Sequence, residues 1–96
     1  MARSPDSTRV LKLKKVTVTT ATQTLAELGI PVEPDVVRLK FYPEDDTVRC
    51  EKDADATSAS FALPEAGIVL PSNVTEMAEY EFYAAAEVTM GVVVEG

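Results

Sequence analysis

Hydrophobic and polar residues alternate along most of the chain, which is the pattern of β-strands that bury one face. The first such run is VLKLKKVTVTT, over residues 10–20. Leu11 and Leu13 share one parity in this run, whereas the valines that follow take the other. Because one extra residue in a strand restores the inward face after such a change, we predict a β-bulge or bend across Lys14–Lys15.

Shorter runs of the same kind follow. The runs predicted as strands are VVRLKFY (36–42), TVRC (47–50), FAL (61–63), GIVL (67–70), EYEFY (79–83) and VTMGVVVE (88–95). The turn residues PEDD at 43–46 separate the first two runs, which predicts a hairpin with an acidic tip. The segment ATQTLAEL, at 21–28, is the one with helical character, and it ends at Gly29. Thr24 is a candidate cap for a short turn there, with a plain loop as the alternative.

About seven short strands, with turn signals roughly every 8–12 residues, are typical of an all-β fold. We predict a single small β-sandwich, jelly-roll-like, over residues 10–96. A flexible N-terminal arm over residues 1–9 precedes it, and it contains at most one short helical turn. The aromatic residues expected in its core are Phe41, Phe61, Tyr80 and Phe82.

The composition narrows the possible functions. The chain has 96 residues, enough for one domain, and a net charge of −7 from 16 acidic and 9 basic residues. A domain of this charge is a poor nucleic-acid binder, because such binders present a positive field to phosphates. The sequence has no histidine, so it lacks the usual general base and the commonest metal ligand. Cys50 is the one cysteine, which excludes an intrachain disulfide and Cys–His catalysis, and we expect it to be buried in a strand.

Acidic loops are the remaining candidates for chemistry. The carboxylates with the oxygen ligands that calcium takes are Glu44-Asp45-Asp46 and the alternating Glu51, Asp53 and Asp55. Neither group matches the EF-hand loop, so solvated acidic loops are the favoured interpretation. Ser58 and Ser60 have no histidine partner and no nucleophile motif. We therefore predict no enzymatic activity, no catalytic or metal-binding residue and no cofactor.

Targeting signals are not evident in the sequence. The first 15 residues contain no apolar run of signal-peptide length, and no stretch reaches the ~20 apolar residues of a membrane span. We expect synthesis and folding in a reducing cytoplasm.

Basic residues are concentrated at the start of the chain. Residues 1–15 hold five bases and one acid, a local charge of +4, whereas the other 81 residues hold four bases and fifteen acids, a charge of −11. A basic segment on an acidic body suits docking against an acidic neighbour. The alternative is that these side chains are the solvated face of the first strand. The candidate interface residues are Arg3, Arg9, Lys12, Lys14 and Lys15.

The second half of the chain resembles a family of viral proteins. FALPEAGIVLP (61–71) precedes EYEFYAAA (79–86) and a valine-rich final strand, and VTVTT (16–20) followed by VVRLKFY (36–42) is similar to the opening of the same proteins. The pattern, over roughly residues 10–96, resembles the small β-sandwich virion proteins of tailed bacteriophages. Many of these are capsid decoration or cementing proteins, and related sandwiches occur in head fibres and tail parts.

The resemblance implies a structural role. We expect a decoration protein, made in the host cytoplasm, that binds the exterior of a tailed-phage head and stabilises it as a homotrimer. Its implied partners are the major capsid protein and sister subunits, with no nucleic acid and no membrane. The alternatives are a head-fibre or tail module, a carbohydrate-binding sandwich and an enzyme or metal-dependent regulator that uses the acidic loops. The aromatic platform that carbohydrate binding needs would come from Tyr42, Tyr80, Phe82 and Tyr83.

Overall fold

Eight strands form two antiparallel sheets in the computed structural model of the protein, which describes residues 9–30, 32–45, 47–71 and 73–96. The strands are β1 (Val10–Val18), β2 (Gln23–Thr24), β3 (Arg38–Pro43), β4 (Val48–Lys52), β5 (Phe61–Ala62), β6 (Ile68–Pro71), β7 (Tyr80–Ala84) and β8 (Val88–Glu95). One short helix, α1 (Val74–Met77), lies between β6 and β7.

The strand order identifies the architecture. Sheet A has the order β1-β8-β3-β6, and sheet B has the order β2-β7-β4-β5. Except for β4 and β5, strands that are consecutive in the chain lie in opposite sheets. This is the eight-stranded, double-sheet arrangement of a jelly roll. The predicted all-β, jelly-roll-like sandwich is confirmed.

The core lies between the sheets and consists of the inward residues of each strand. Phe41 of β3 and Phe82 of β7 are fully buried, and their ring centroids are 5.3 Å apart at an interplanar angle of 47°. Around them lie the alternate residues of β8, of which Met90, Val92 and Val94 are buried. The two-residue alternation seen in the sequence is therefore the alternation of core and surface.

The predicted hairpin of residues 36–42 with 47–50 is wrong. β3 lies in sheet A and β4 lies in sheet B. Both edges of β3 are already occupied, by β6 and β8, so β3 has no edge left for β4. The acidic link crosses from one sheet to the other, and the Asp45 carboxylate accepts the Thr47 N–H and Oγ1 hydroxyl at 2.8 and 2.6 Å, which turns the chain.

The bulge predicted across Lys14–Lys15 lies elsewhere. The register of β1 with β8 shifts between Val10 and Lys12 and is regular from Lys12 to Val18. Leu11 sits at the shift and packs against the core, whereas Leu13 points outward with 72% of its surface exposed. A lysine at 14 keeps the inward parity because its aliphatic end lies against the turn around residue 29.

Phe61 also departs from the expectation. It is 60% exposed, whereas Phe41, Tyr80 and Phe82 are buried as predicted. β5 is a two-residue strand at the edge of sheet B. Leu63, just beyond it, is the residue of that segment that enters the core.

Among the described residues the α-helix is α1, which the sequence did not predict, whereas segment 21–28 contributes one hydrogen-bonded turn in which the Leu28 N–H donates to the Thr24 carbonyl at 3.0 Å. Asn73 caps α1 by accepting the Glu76 N–H, a position that the sequence did not reveal. Segment 21–28 contains β2 followed by a turn, in which Thr24 Oγ1 accepts the Glu27 N–H and the Glu27 carboxylate accepts the Thr24 N–H. Thr24 is thus the cap of a single turn, and the buried Leu25 and Leu28 account for its helix-like spacing.

Candidate functional site

The outer face of sheet A carries the candidate interface residue Lys15, together with two bases outside the predicted set, Arg38 and Lys40. Antiparallel pairing places most of its outward side chains in three rows that run across the sheet. The rows are Val10–Glu95–Arg38, then Leu13–Val93–Lys40–Val69, then Lys15–Gly91–Tyr42. Five of the eight basic residues in the described part of the chain lie in strands of this sheet, and Arg9 immediately precedes β1.

This face exposes apolar side chains as well as charges. Leu13 is 72% exposed, and Val10, Val69 and Tyr42 are each exposed by about half. Single exposed apolar residues are ordinary on a protein surface. Four on one face of one sheet are a feature of interaction surfaces.

A hollow lies near the centre of the outer face. It has a volume of about 430 Å³ and is open to solvent. Its floor is Gly91 of β8, whose missing side chain leaves room: a Cβ there would lie 3.7 Å from the nearest atom, the Tyr42 carbonyl oxygen. Leu13 and Val93 supply apolar walls. An apolar side chain from another molecule fits this hollow.

A buried carboxylate pairs with two of the basic side chains on this face. Glu95 is 7% exposed, and it accepts from Arg38 Nε at 2.9 Å and pairs with Lys40 Nζ at 3.3 Å. The local sequence does not reveal Arg38 and Lys40 as members of the basic surface. Their alternation in residues 36–42 indicated an outward face, but their position relative to β1 depends on β8, which lies between the two strands.

A second ion pair lies at the rim of the hollow. Lys15 Nζ is 3.6 Å from Glu44 Oε1, and the two side chains are 73% and 60% exposed. Water and salt screen such a pair, so it contributes little stability and leaves Lys15 able to exchange partners.

The candidate residues of the basic segment are divided by the structure. Arg9, Lys12 and Lys15 are exposed along β1. Lys14 is half-buried on the inward parity, and Arg3 lies outside the described residues. Arg9 donates its N–H to the Gly96 carbonyl and accepts the Gly96 N–H, both at 2.9 Å, so it extends the β1–β8 ladder. The rest of the predicted arm, residues 1–8, also lies outside the described residues.

The outer face of sheet B is organised differently. Glu51 and Glu81 lie directly opposite each other on β4 and β7, an unfavourable pair of like charges. Each carboxylate takes a hydroxyl: Ser60 Oγ donates to Glu51 at 3.0 Å, and Thr22 Oγ1 donates to Glu81 at 3.0 Å. The Ala56 N–H in turn donates to Thr22 Oγ1 at 3.1 Å. Segment 56–60 of the same chain therefore binds polar groups of this face.

The acidic loops do not converge on a metal site. Among the residues with described positions, no group of three or more Cys, Asp or Glu side chains has an arrangement that fits a metal ion. The hydrogen bonds from Thr47 lower the pKa of the Asp45 carboxyl. Hydrogen bonding with Asp53 is the main cause of a raised pKa at Glu79, and burial and the Asp53 charge add to it. These shifts come from neighbouring residues in turns.

Cys50 lies at the inner side of a second hollow. This hollow has a volume of about 210 Å³ and opens between β5 and β6, with Phe61, Leu63, Leu70 and Tyr80 among its lining residues. Burial, together with the charge of Glu51, raises the pKa of the Cys50 thiol to about 12. A thiol of this pKa is protonated at neutral pH and is a poor nucleophile.

The aromatic residues do not form a platform. Tyr80 and Phe82 point into the core, Tyr42 lies on the outer face of sheet A, and Tyr83 is half-buried on the opposite face of the sandwich. Carbohydrate binding through these four residues has no geometric support.

Comparison of the chain with protein-family models, curated proteins and solved structures finds no match. Within the described ranges, no helix has the length and apolar character needed to cross a membrane. Proposals about function therefore rest on the geometry and the charges of the chain and on the pattern resemblance noted in its sequence.

Proposed function

We propose that the chain is a structural virion protein that binds the exterior of a tailed-phage head and stabilises it, with the outer face of sheet A toward the shell. One observation carries the proposal. An open face with exposed apolar residues, the exposed Lys15 and the partly exposed Arg38 and Lys40 lies on a domain whose remaining charge is strongly acidic. This combination suits a subunit that attaches by one face and leaves acidic surface toward solvent.

The fold supports the proposal by analogy. Jelly rolls occur in viral capsid proteins and in lectins, so the fold alone does not select a function. The dispersed aromatic residues disfavour the lectin-like alternative. The sequence resemblance to small phage sandwich proteins favours the capsid role.

A repeated lattice also fits a domain of this size. A 96-residue chain with one small core gains stability from neighbours, and a shell offers the same contact many times over. Weak contacts then add up when sister subunits also touch. We propose a homotrimer, with the major capsid protein as the second partner.

Labelling of purified particles tests the proposal. Antibodies against the chain should label the heads of the phage that encodes it, and mass measurement in solution should give three copies. Label on tails or fibres would overturn attachment to the head, and particles without the chain would contradict a virion role altogether. Removal of residues 1–8 deletes Arg3 together with Asp6 and keeps the Arg9–Gly96 pair, so occupancy should fall if Arg3 itself contributes to docking.

A further inference from the structure

β1 presents a long strand edge that no other described strand covers. It stands at the end of sheet A and has one strand neighbour, β8, among the described residues. β1 has nine residues, whereas the other edge strands, β2, β5 and β6, have two, two and four. Short edges offer little to an incoming strand, so β1 is the site in this fold where strand addition has enough length.

The backbone groups that face this edge follow from the hydrogen bonds of β8. The carbonyls of Thr89 and Glu95 accept from Glu44 and Val37, on the β3 side. The even-numbered residues of β8 therefore face β1, where their partners include Lys12, Lys14 and Val16. In β1 the intervening residues turn their N–H and C=O groups to the free edge, and these residues are Leu13, Lys15 and Thr17.

The side chains along the edge are basic and apolar. Lys12 and Lys15 are exposed, and Lys14 is half-buried between them. Leu13 is 72% exposed and borders the hollow over Gly91. A strand beside β1 would therefore meet Leu13 and Lys15 on the outer side of the sheet, and Lys12 and Lys14 on the inward side, where the end of Lys14 lies close to Gly29.

We propose that the free edge of β1 accepts an extended acidic segment of a partner protein as an added antiparallel strand. Acidic residues of that segment lie opposite Lys12, Lys14 and Lys15, and an apolar residue lies opposite Leu13, beside the hollow. The main-chain bonds supply affinity, and the side-chain pairs supply specificity. The proposal rests on the proposed function only in taking this partner to be a shell protein.

A second copy of the chain is a poor occupant of this edge. Two antiparallel β1 strands that pair through Leu13, Lys15 and Thr17 bring the two Lys12–Lys15 clusters together. Like charges placed opposite each other in neighbouring strands are destabilising. Charge complementarity therefore selects an acidic strand over self-pairing.

A designed peptide tests the proposal directly. The peptide Val-Thr-Val-Glu-Glu-Val-Glu-Thr places its glutamates opposite the three lysines when it pairs antiparallel with residues 11–18. One version is N-methylated at its fourth and sixth residues, whose N–H groups would face β1, and a matched version is N-methylated at its third and fifth, which would face away. A third version has lysine in place of glutamate.

We expect the unmodified peptide to bind and to shift the amide resonances of Leu13, Lys15 and Thr17. Methylation on the side that faces β1 should weaken binding by about tenfold or more, methylation on the other side should change it little, and the lysine version should not bind. Equal loss from both methylations, resonance shifts on sheet B, self-association through β1, or no binding would each overturn the proposal.

A variant of the protein gives a second test. Thr17→Pro removes an N–H from the free edge without changing the charge, and proline is tolerated on an edge whose N–H faces solvent. We expect it to weaken peptide binding while circular dichroism stays that of the parent, and unchanged affinity would overturn the proposal. Should the variant not fold, the comparison of the two methylated peptides still tests strand addition.

Head binding without peptide binding would refute strand addition alone, whereas peptide binding without head binding would refute the virion role alone.

Discussion

The outer faces of the two sheets have different partners for their polar groups. On sheet B, Glu51 and Glu81 take hydroxyls from Ser60 and Thr22, and segment 56–60 supplies further bonds. On sheet A, Glu95 of β8 pairs with Arg38 and Lys40 of the neighbouring β3. No described loop is hydrogen-bonded across the exposed apolar residues of this face. One face is thus satisfied within the chain, and the other is left open.

The difference supports the outer face of sheet A as the proposed interaction face. Like charges at Glu51 and Glu81 are tolerated because the chain itself supplies their donors. The exposed Leu13 and Val10 on the outer face of sheet A have no such compensation, because no hydrogen bond within the chain removes apolar surface from water. Another molecule that packs on this face would cover them. The contrast between the two faces therefore carries more functional information than the fold does.

The largest expected effect on stability comes from removing an aromatic side chain that packs between the two sheets. Phe82→Ala removes a fully buried ring that packs on Phe41 across the sheets. We expect a loss of about 3–5 kcal/mol in the free energy of unfolding, enough to unfold much of a domain this small. Tyr83→Ala, one residue along and half-buried on the outer face of sheet B, should cost clearly less. Urea unfolding measures both, and similar losses would contradict the assigned core.

Within sheet A, the two ion pairs should differ sharply. Glu95→Gln leaves Arg38 and Lys40 without the carboxylate they share, and because both cations are about one-third exposed we expect a loss of about 1–2 kcal/mol. Glu44→Gln removes the exposed partner of Lys15 and should cost less than about 0.5 kcal/mol. Equal losses in urea unfolding would show that burial does not separate the two pairs.

The smallest effect concerns the loops beside sheet B. Asp53 has a φ of 65°, which asparagine also tolerates, so Asp53→Asn keeps the turn and removes the charge that faces Glu79. Because the pKa of Glu79 is raised, the folded state holds the Glu79 proton more tightly than the unfolded state does. At neutral pH both Asp53 and Glu79 are ionised, and their repulsion lowers the free energy of unfolding. This loss disappears as the pH falls through the pKa of Glu79 and the carboxyl takes up its proton. Asp53→Asn should therefore raise the melting temperature at pH 7 and lose this gain in acid. A gain that persists below pH 4 would contradict the coupling.

The sequence predicted the strands better than their pairing. Alternation is a local property, and every predicted run contains a strand, although both residues of the short β5 are exposed. The sheet to which a strand belongs depends on which edges are free, which is why the hairpin of β3 with β4 was not formed. Leu13 and Phe61 were expected to point inward on their hydrophobicity alone, but both are exposed. The register of β1 shifts before Lys12, which leaves Leu13 on the outward parity, and Phe61 lies in a two-residue edge strand.

The candidate surface was half visible in the sequence. Arg9, Lys12 and Lys15 lie close together in the chain, so the distribution of charge along the sequence reveals them. Arg38 and Lys40 join the same face through β8, and no local pattern encodes that neighbourhood. The hollow over Gly91 likewise depends on three strands at once.

The occupancy of phage heads by two matched variants tests the central claim most directly. Lys15→Glu reverses an exposed charge on the outer face of sheet A, and Lys52→Glu reverses an exposed charge at the end of β4 in sheet B, with the same change in net charge. If sheet A docks on the shell, binding of Lys15→Glu to undecorated heads should fall at least about threefold, while that of Lys52→Glu should stay near the parent value. Equal loss in both variants, or loss in Lys52→Glu alone, would contradict the assignment of the docking face.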